Sequence, residues 1–195
     1  MPRKRTAVLI SGRGSNLQAL IEAAKSPEYP AQISLVISNV TDAEGLARAR
    51  DARVPTRVIS HKNFESREDF DRAVDAELRA SEIEIVCLAG FMRILSDWFV
   101  QEWEGRLINI HPSLLPAYKG TNVHARVLAA KERVSGCTVH FVVPELDSGL
   151  TIAQAEVPVL PGDTEDRLAA RILAAEHRLY PDGLRRVASG EAQFD

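Results

Sequence analysis

Short apolar runs in this chain alternate with longer segments in which apolar residues recur every three or four positions. The runs at residues 6–10, 33–38, 56–59, 83–89 and 107–110 predict β-strands. Several of them are continuously apolar, which is typical of parallel strands that are covered on both faces. The repetition of strand and helix predicts an α/β fold with a doubly wound, Rossmann-like and mostly parallel sheet.

The segments between these runs have the spacing of amphipathic helices. One apolar stripe begins at Leu17 and another begins at Phe70, and Ser66 followed by Asp69 resembles a capping box that starts the second helix. After residue 110 the order changes. There we expect a loop at 111–120, a helix from about 123 to 131, strands at 137–143 and 151–157, and a helix from about 164 to 180 that Pro181 ends.

Composition narrows the classes of protein that fit this pattern. The chain has 195 residues, of which 45% are hydrophobic, so we expect a single domain over residues 1–195. The net charge is −3 with both signs interspersed, and no apolar run approaches membrane-spanning length, so we expect neither a nucleic-acid partner nor a membrane. Cys87 and Cys137 lie in apolar contexts, which indicates buried, reduced thiols and a cytoplasmic protein without a leader segment.

A glycine-rich turn follows the first predicted strand and leads into a helix. Gly12 and Gly14 permit close approach of the backbone, and the helix N-terminus that follows favours an anion. Leu17 stands where a dinucleotide fingerprint needs a third small residue, and Asn39 ends the second strand in place of an acid. The Gly-Lys-Ser/Thr of a Walker loop is also absent from the sequence. A single phosphate monoester therefore fits this turn better than NAD or ATP, and a turn that binds nothing is the alternative.

Polar residues with catalytic potential end the fifth predicted strand. Asn109 and His111 are two residues apart, so both side chains point to one face at the sheet edge where α/β proteins bind ligands. A carboxamide and a protonated imidazole can both donate to the oxyanion of acyl transfer. Asp147, in a predicted turn, is the best candidate for a carboxylate that favours the charged imidazole. Taken singly, each residue also has a structural explanation: a packed histidine, a loop cap and a turn residue.

Five segments together resemble the folate-dependent phosphoribosylglycinamide formyltransferases, in order and in spacing, over almost the whole chain. They are residues 11–16 (SGRGSN), 88–95 (LAGFMRIL), 109–116 (NIHPSLLP), 136–142 (GCTVHFV) and 146–149 (LDSG). The resemblance implies a transferase of one-carbon metabolism and purine (IMP) biosynthesis. Such an enzyme moves the formyl group of 10-formyltetrahydrofolate, its co-substrate, to the amine of glycinamide ribonucleotide, and it uses no metal.

The resemblance also implies a role for individual residues. Asn109, His111 and Asp147 match the family's catalytic residues. Residues that would bind the ribonucleotide and its phosphate are Gly14, Ser15, Asn16, Leu173, Ala174, Ala175 and Glu176. Residues that would bind folate are Arg67, Met92, Arg93, Ile94, Leu95, Asn109, Val143, Pro144, Glu145, Leu146 and Asp147. Residues of about 6–110 would then form the phosphate-binding half of the domain, and those of about 111–190 the folate site and the last helix.

Two alternatives and one departure accompany this interpretation. A 10-formyltetrahydrofolate hydrolase shares the catalytic residues, but it usually carries a regulatory domain before the first strand, which here begins at residue 6. A non-catalytic nucleotide-binding module would keep the glycine turn and leave His111 and Asp147 unexplained.

Ser148 stands where glycine or alanine is common in the family. The other histidines, His61, His124, His140 and His177, share no metal-binding spacing, and we expect no catalytic role for them.

Overall fold

A seven-stranded sheet organises the chain, for which the computed structural model describes residues 2–194. The spatial order of the strands is β3-β2-β1-β4-β5-β6-β7. The first five strands pair in parallel, whereas β6 is antiparallel to β5, and β7 is antiparallel to β6. Their bounds are β1 Lys4–Ile10, β2 Ala31–Ser38, β3 Thr56–Val58, β4 Ile85–Leu88, β5 Leu107–His111, β6 Val134–Phe141 and β7 Thr151–Pro158.

Helices cover both faces of this sheet. They are α1 Ser15–Ala24, α2 Glu44–Asp51, α3 Arg67–Ala80, α4 Asp97–Glu102, α5 Val123–Ala129 and α6 Glu165–Ala188, with a short 3-10 helix at His61–Asn63. Alternate residues of β1 belong to different clusters: Val8 packs with α1, α2 and α6, while Leu9 packs with α3 and α4. Burial on both faces explains why β1 and β2 are continuously apolar, and the predicted doubly wound α/β fold is confirmed.

The predicted end of the last helix is wrong. Pro181 lies inside α6, which continues to Ala188. A proline inside a helix removes one backbone hydrogen bond and costs about 3 kcal/mol. Tyr180 and Leu184, on either side of it, are fully buried, and burial of two such side chains contributes about as much as the proline costs, or more. The Pro181 carbonyl also accepts a 2.6 Å hydrogen bond from the Tyr29 hydroxyl.

Other boundaries differ from the sequence pattern in informative ways. Strand β6 begins at Val134, before the predicted start at residue 137, and ends at Phe141, before the predicted end at residue 143, although the Val142 N–H still donates a 2.9 Å hydrogen bond to the Leu107 carbonyl of β5. Helices α2 and α4 are not predicted, since α2 buries only Gly45, Leu46 and Ala49 along its length.

Both cysteines are buried and free. No helix within residues 2–194 is long and apolar enough to cross a membrane.

The strand order reverses direction between β1 and β4. The chain leaves β1 toward β2 on one side, and it enters β4 and β5 on the other. A crevice forms outside the carboxyl ends of the strands at such a point, and ligands of α/β sheets bind there. The backbone N–H of Met92, after β4, donates a 2.8 Å hydrogen bond to Ser11 Oγ, after β1. This bond fixes the two sides of the crevice against each other.

Candidate active site

The glycine turn has the backbone geometry of an anion site. Gly14 is the N-cap of α1 and has a left-handed φ of 73°. A Cβ atom at Gly14 would lie 2.6 Å from Gly45 Cα, so only glycine lets α1 and α2 approach this closely. No side chain caps α1, and its first turn contains no acidic residue. The first N–H groups of the helix and its positive dipole end are therefore left to interact with a ligand.

The middle of α6 lies against the start of α1. The side-chain amide of Asn16 donates a 2.9 Å hydrogen bond to Oε2 of Glu176, and both residues are buried. Burial raises the pKa of the Glu176 carboxyl, and the bond from Asn16 opposes that rise only in part. Leu173 and Ala174 are more exposed than Ala175 on the same helix. The structure thus brings together the two groups of residues expected at the ribonucleotide site, although they come from opposite ends of the chain.

A cavity of about 380 Å³ opens beside the glycine turn, between the ends of β4 and β5 and the loop after β6. Its wall is mainly apolar. The lining residues are Leu88, Phe91, Met92, Arg93, Ile94, Leu95, Val100, Asn109, Thr121, His140, Val142, Val143, Pro144, Leu146 and Asp147. Met92, Ile94 and Leu146 are exposed apolar side chains at this opening, with 78%, 66% and 59% of their surface accessible. Large apolar groups left in solvent around a cavity indicate a surface that a ligand covers.

Most of the residues expected to contact folate line this cavity. Arg67 and Glu145 are the exceptions. Arg67 is an exposed residue at the first turn of α3, and Glu145 is exposed and lies 3.8 Å from Nζ of Lys119. The cavity also includes residues that the sequence pattern did not single out, among them Phe91, Thr121 and His140. Within residues 2–194, no three His, Cys, Asp or Glu side chains group as metal ligands.

Asp147 and His111 meet at the base of the cavity. Nδ1 of His111 lies 3.4 Å from Oδ2 of Asp147, and the side chains are only 7% and 6% exposed. Nε2 of His111 lies 2.9 Å from the carbonyl oxygen of Tyr118. Asp147 Oδ2 also accepts a 2.8 Å hydrogen bond from the backbone N–H of Gly120. The His111 ring thus has an oxygen near each of its two nitrogens, a carboxylate on one side and a backbone carbonyl on the other.

The two predicted donors occupy different positions relative to the cavity. Asn109 lines it, whereas His111 lies behind Asp147 and is not part of the wall. The two side chains lie on one face of β5, as the alternation along the strand predicts. His111 can donate a hydrogen bond from Nε2 to a ligand only if the contact between Nε2 and the Tyr118 carbonyl oxygen breaks. In the observed arrangement, the His111 ring and the Asp147 carboxylate are in buried contact beside the cavity.

His140 lies in the cavity wall, although we expected no role for it from the spacing of the histidines. It is directly opposite Asn109 in the antiparallel pairing of β5 with β6, so the two side chains share one face. Nδ1 of His140 lies 2.9 Å from the carbonyl oxygen of Phe141, and Nε2 lies 3.8 Å from Oδ1 of Asp147. Burial lowers the pKa of His140, and the Phe141 carbonyl and the Asp147 charge offset this effect only partly. The neutral ring is therefore favoured.

Comparison with known proteins supplies independent evidence. The family model described as formyl transferase matches residues 4–184. The chain is 49% identical over 174 residues to phosphoribosylglycinamide formyltransferase of Escherichia coli, which covers 89% of this chain and 82% of that protein. It is 55% identical over 189 residues to the chicken (Gallus gallus) trifunctional purine biosynthetic protein adenosine-3. That match covers 97% of this chain but 19% of the relative, so the chain spans about a fifth of the trifunctional protein.

Solved structures agree with this result. The crystal structure of phosphoribosylglycinamide formyltransferase from Brucella melitensis superposes with a TM-score of 0.92 at 48% sequence identity. The superposition covers 99% of this chain and all of that one. Similarity over the full length, rather than over the nucleotide-binding half alone, distinguishes this relationship from a general likeness among Rossmann-like folds.

Proposed function

The chain belongs to the formyl transferase family, and we propose that it acts in purine biosynthesis as a phosphoribosylglycinamide formyltransferase. It transfers the formyl group of 10-formyltetrahydrofolate to the amine of N1-(5-phospho-D-ribosyl)glycinamide. The products are the N-formyl ribonucleotide and tetrahydrofolate. The observation that carries the proposal is a glycine turn before an uncapped helix, which the hydrogen bond from Met92 to Ser11 connects to an apolar cavity with a carboxamide and a carboxylate in its wall.

The ribonucleotide binds, in this proposal, across the start of α1 and the middle of α6. The first N–H groups of α1, at Gly14, Ser15 and Asn16, bind its phosphate, because an uncapped helix N-terminus favours a dianion. Glu176 and the preceding turn of α6, from Leu173, contact the sugar. The hydrogen bond from Asn16 fixes the orientation of the Glu176 carboxyl before the substrate arrives.

The folate occupies the cavity. Its flat, mostly apolar ring system matches a wall built from Met92, Ile94, Leu95, Val143 and Leu146. Arg67 and Glu145 stand outside the wall, and Arg67 contacts the exposed end of the folate. The reactive end of the folate then lies next to Asn109 and Asp147, at the junction with the glycine turn.

The reaction is a direct transfer between two bound substrates. The glycinamide nitrogen attacks the formyl carbon, and the carbonyl oxygen becomes an oxyanion that Asn109 stabilises with its amide N–H. His111, charged and paired with Asp147, adds a positive field at the same point. Placing both substrates in one crevice removes much of the entropic barrier of a bimolecular step.

In this proposal, the two halves of the domain supply different parts of the site, and the protein works in the cytoplasm. The first half of the domain, about residues 6–110, supplies the phosphate site, and about residues 111–190 supply the folate loop and α6. The two small molecules are the partners of the reaction. Two buried free thiols support a reducing compartment, the cytoplasm, as the place where the protein works.

One assay tests the proposed reaction. Purified protein is mixed with 10-formyltetrahydrofolate, and tetrahydrofolate is measured with and without glycinamide ribonucleotide. Release only when the ribonucleotide is present, with the N-formyl product identified by mass spectrometry, supports transfer. Release at the same rate without the ribonucleotide would make the protein a hydrolase, and no release would leave a binding module.

A further inference from the structure

The segment between β4 and α4, residues 89–96, forms one side of the cavity and is tethered to other elements near both ends. Near its start, the backbone N–H of Met92 donates a 2.8 Å hydrogen bond to Ser11 Oγ. At its end, the backbone N–H of Ser96 donates a 2.6 Å hydrogen bond to Oδ2 of Asp71, which belongs to α3. The exposed apolar side chains of the cavity opening lie between these two tethers. The position of this wall therefore depends on Asp71.

Asp71 is a fully buried carboxylate with one oxygen to spare. None of its surface is accessible, and Oδ1 has no hydrogen-bond partner among residues 2–194. Burial raises the pKa of this carboxyl, and the hydrogen bonds from Ser96 and the charges of Arg67 and Arg93 oppose that rise only in part. A buried carboxylate is stable when each oxygen has a donor or a cation beside it. The open oxygen therefore marks a place for a further donor.

The same segment contains a donor in the opposite situation. Nε of Arg93 is buried and has no acceptor among residues 2–194. Arg93 lines the cavity three residues before Ser96, and its charge acts on Asp71. A guanidinium group has five N–H donors in a fixed fork, so Nε can bond to one acceptor while the terminal N–H groups bond to another. A buried donor and a buried acceptor that both lack a partner are costly, and one bond between them satisfies both.

We propose that Asp71 is a positioning residue for the folate: Oδ2 holds the end of the cavity wall at Ser96, and Oδ1 accepts from Nε of Arg93 when the folate binds. The terminal N–H groups of Arg93 then face the anionic glutamate tail of the folate, beside Arg67 in the first turn of α3. The inference rests on the proposed function, because it completes the folate site of that reaction. Asp71 touches neither substrate and acts through Arg93.

Asp71→Asn separates the charge from the tether. The amide oxygen still accepts from the Ser96 N–H, but the second position becomes an NH₂ group that cannot accept from Arg93. We expect KM for 10-formyltetrahydrofolate to rise about tenfold, because the guanidinium is no longer held toward the glutamate tail. We expect kcat and KM for the ribonucleotide to stay within about twofold of wild type, since the reacting groups are not moved.

A co-substrate with a neutral tail distinguishes positioning from a general loss of structure. In the dimethyl ester of the glutamate tail, the carboxylates that Arg93 faces are absent. KM for this ester should agree within about twofold between Asp71→Asn and wild type, whereas a damaged cavity would raise KM for both forms of the folate. Asp75→Asn is the matched control, because Asp75 is also a buried carboxylate of α3 but accepts from Nε1 of Trp103. This variant should keep wild-type KM values for both forms.

Three kinetic results would overturn the inference. They are an unchanged KM for the charged folate in Asp71→Asn, equal increases for the charged and the ester forms, and the same increase in the Asp75 variant.

If Asp71→Asn does not fold, hydrogen exchange in the wild type decides. The Nε–H resonance of Arg93, assigned by its loss in Arg93→Lys, should exchange more slowly with solvent when tetrahydrofolate is added. An unchanged exchange rate with bound tetrahydrofolate would contradict the bond to Asp71. Ribonucleotide-dependent release of tetrahydrofolate by the wild type tests the proposed function separately, so the two failures are distinguishable.

Discussion

Oδ2 of Asp147 lies 3.4 Å from Nδ1 of His111, and both side chains are almost fully buried. The two residues belong to different parts of the chain, since His111 ends β5 and Asp147 lies in the loop between β6 and β7. Asp147 has a left-handed φ of 49°, and its Oδ2 accepts a hydrogen bond from the Gly120 N–H. In the proposed reaction, this contact between an imidazole and a carboxylate lies beside the cavity and is suited to stabilise charge that appears there.

The first prediction concerns the charge of Asp147. Asp147→Asn keeps an oxygen that accepts from Gly120 N–H, but it removes the negative charge beside His111. We expect kcat to fall by a factor of about 10² or more, because the charged imidazole loses its partner. Stopped assays of tetrahydrofolate release measure the change. Asp42→Asn, at an exposed position, is the control, and turnover near that of wild type in the Asp147 variant would refute the assignment.

The second prediction compares two glycines of the same turn. Gly14→Ala places a Cβ 2.6 Å from Gly45 Cα at a φ of 73°, so we expect the free energy of unfolding to fall by about 2 kcal/mol or more. Gly12→Ala meets nothing within 4 Å, so its stability should stay within about 0.5 kcal/mol of wild type. Urea denaturation measures both values. Equal stabilities for the two variants would show that α1 and α2 do not need their close approach.

The same pair tests the phosphate site. Because the added methyl of Gly12→Ala projects into open space at the turn, it lies where a bound phosphate would approach. We expect KM for the ribonucleotide to rise in this stable variant, with KM for the folate unchanged. An unchanged KM for the ribonucleotide would place its phosphate elsewhere.

The third prediction is a pH dependence of stability that arises at Glu176. Burial raises the pKa of this carboxyl above its ordinary value of 4.5, so the folded protein binds the proton more tightly than the unfolded chain. Stability therefore falls as the pH rises from 4.5 through the folded-state pKa. Glu176→Gln removes this loss, so the variant should melt at a higher temperature than wild type at pH 7. The difference should shrink toward zero below pH 4.5, where both states of the wild type are protonated.

Thermal unfolding by circular dichroism between pH 4 and pH 8 checks this sign. A variant that melts below wild type at pH 7, or a difference that does not change with pH, would contradict it. The glutamine oxygen can still accept from Asn16, so the comparison isolates the charge rather than the hydrogen bond.

The fourth prediction concerns Ser148, which departs from the common residue of the family. Its Oγ accepts a 2.6 Å hydrogen bond from Nζ of Lys119, which connects the loop after β5 to the loop after β6. Ser148→Ala should raise KM for the folate by about fivefold, the equivalent of about 1 kcal/mol for one such bond. Lys119→Met should have a similar effect, and the double variant should be no worse than either one. Additive effects would mean that the two side chains act independently.

The sequence by itself determined the fold class, the glycine turn after β1 and the polar motif at the end of β5. Apolar runs buried on both faces and an amphipathic spacing at Leu17 and Phe70 are local properties, so the parallel half of the sheet could be predicted from them. The Asn109 and His111 pair could also be predicted, because alternation along one strand places both side chains on one face. Asp147 could be named from its predicted turn as a candidate carboxylate, but periodicity does not show that it reaches His111.

The tertiary structure alone decided which distant residues meet. The apolar pattern around His140 does not show where its side chain lies, and it reaches the cavity because β6 runs antiparallel to β5 in a register that sets it opposite Asn109. The continuation of α6 through Pro181 likewise depends on the burial of Tyr180 and Leu184 rather than on helix propensity. Strand register and burial are properties of long-range packing, and a single stretch of sequence does not contain them.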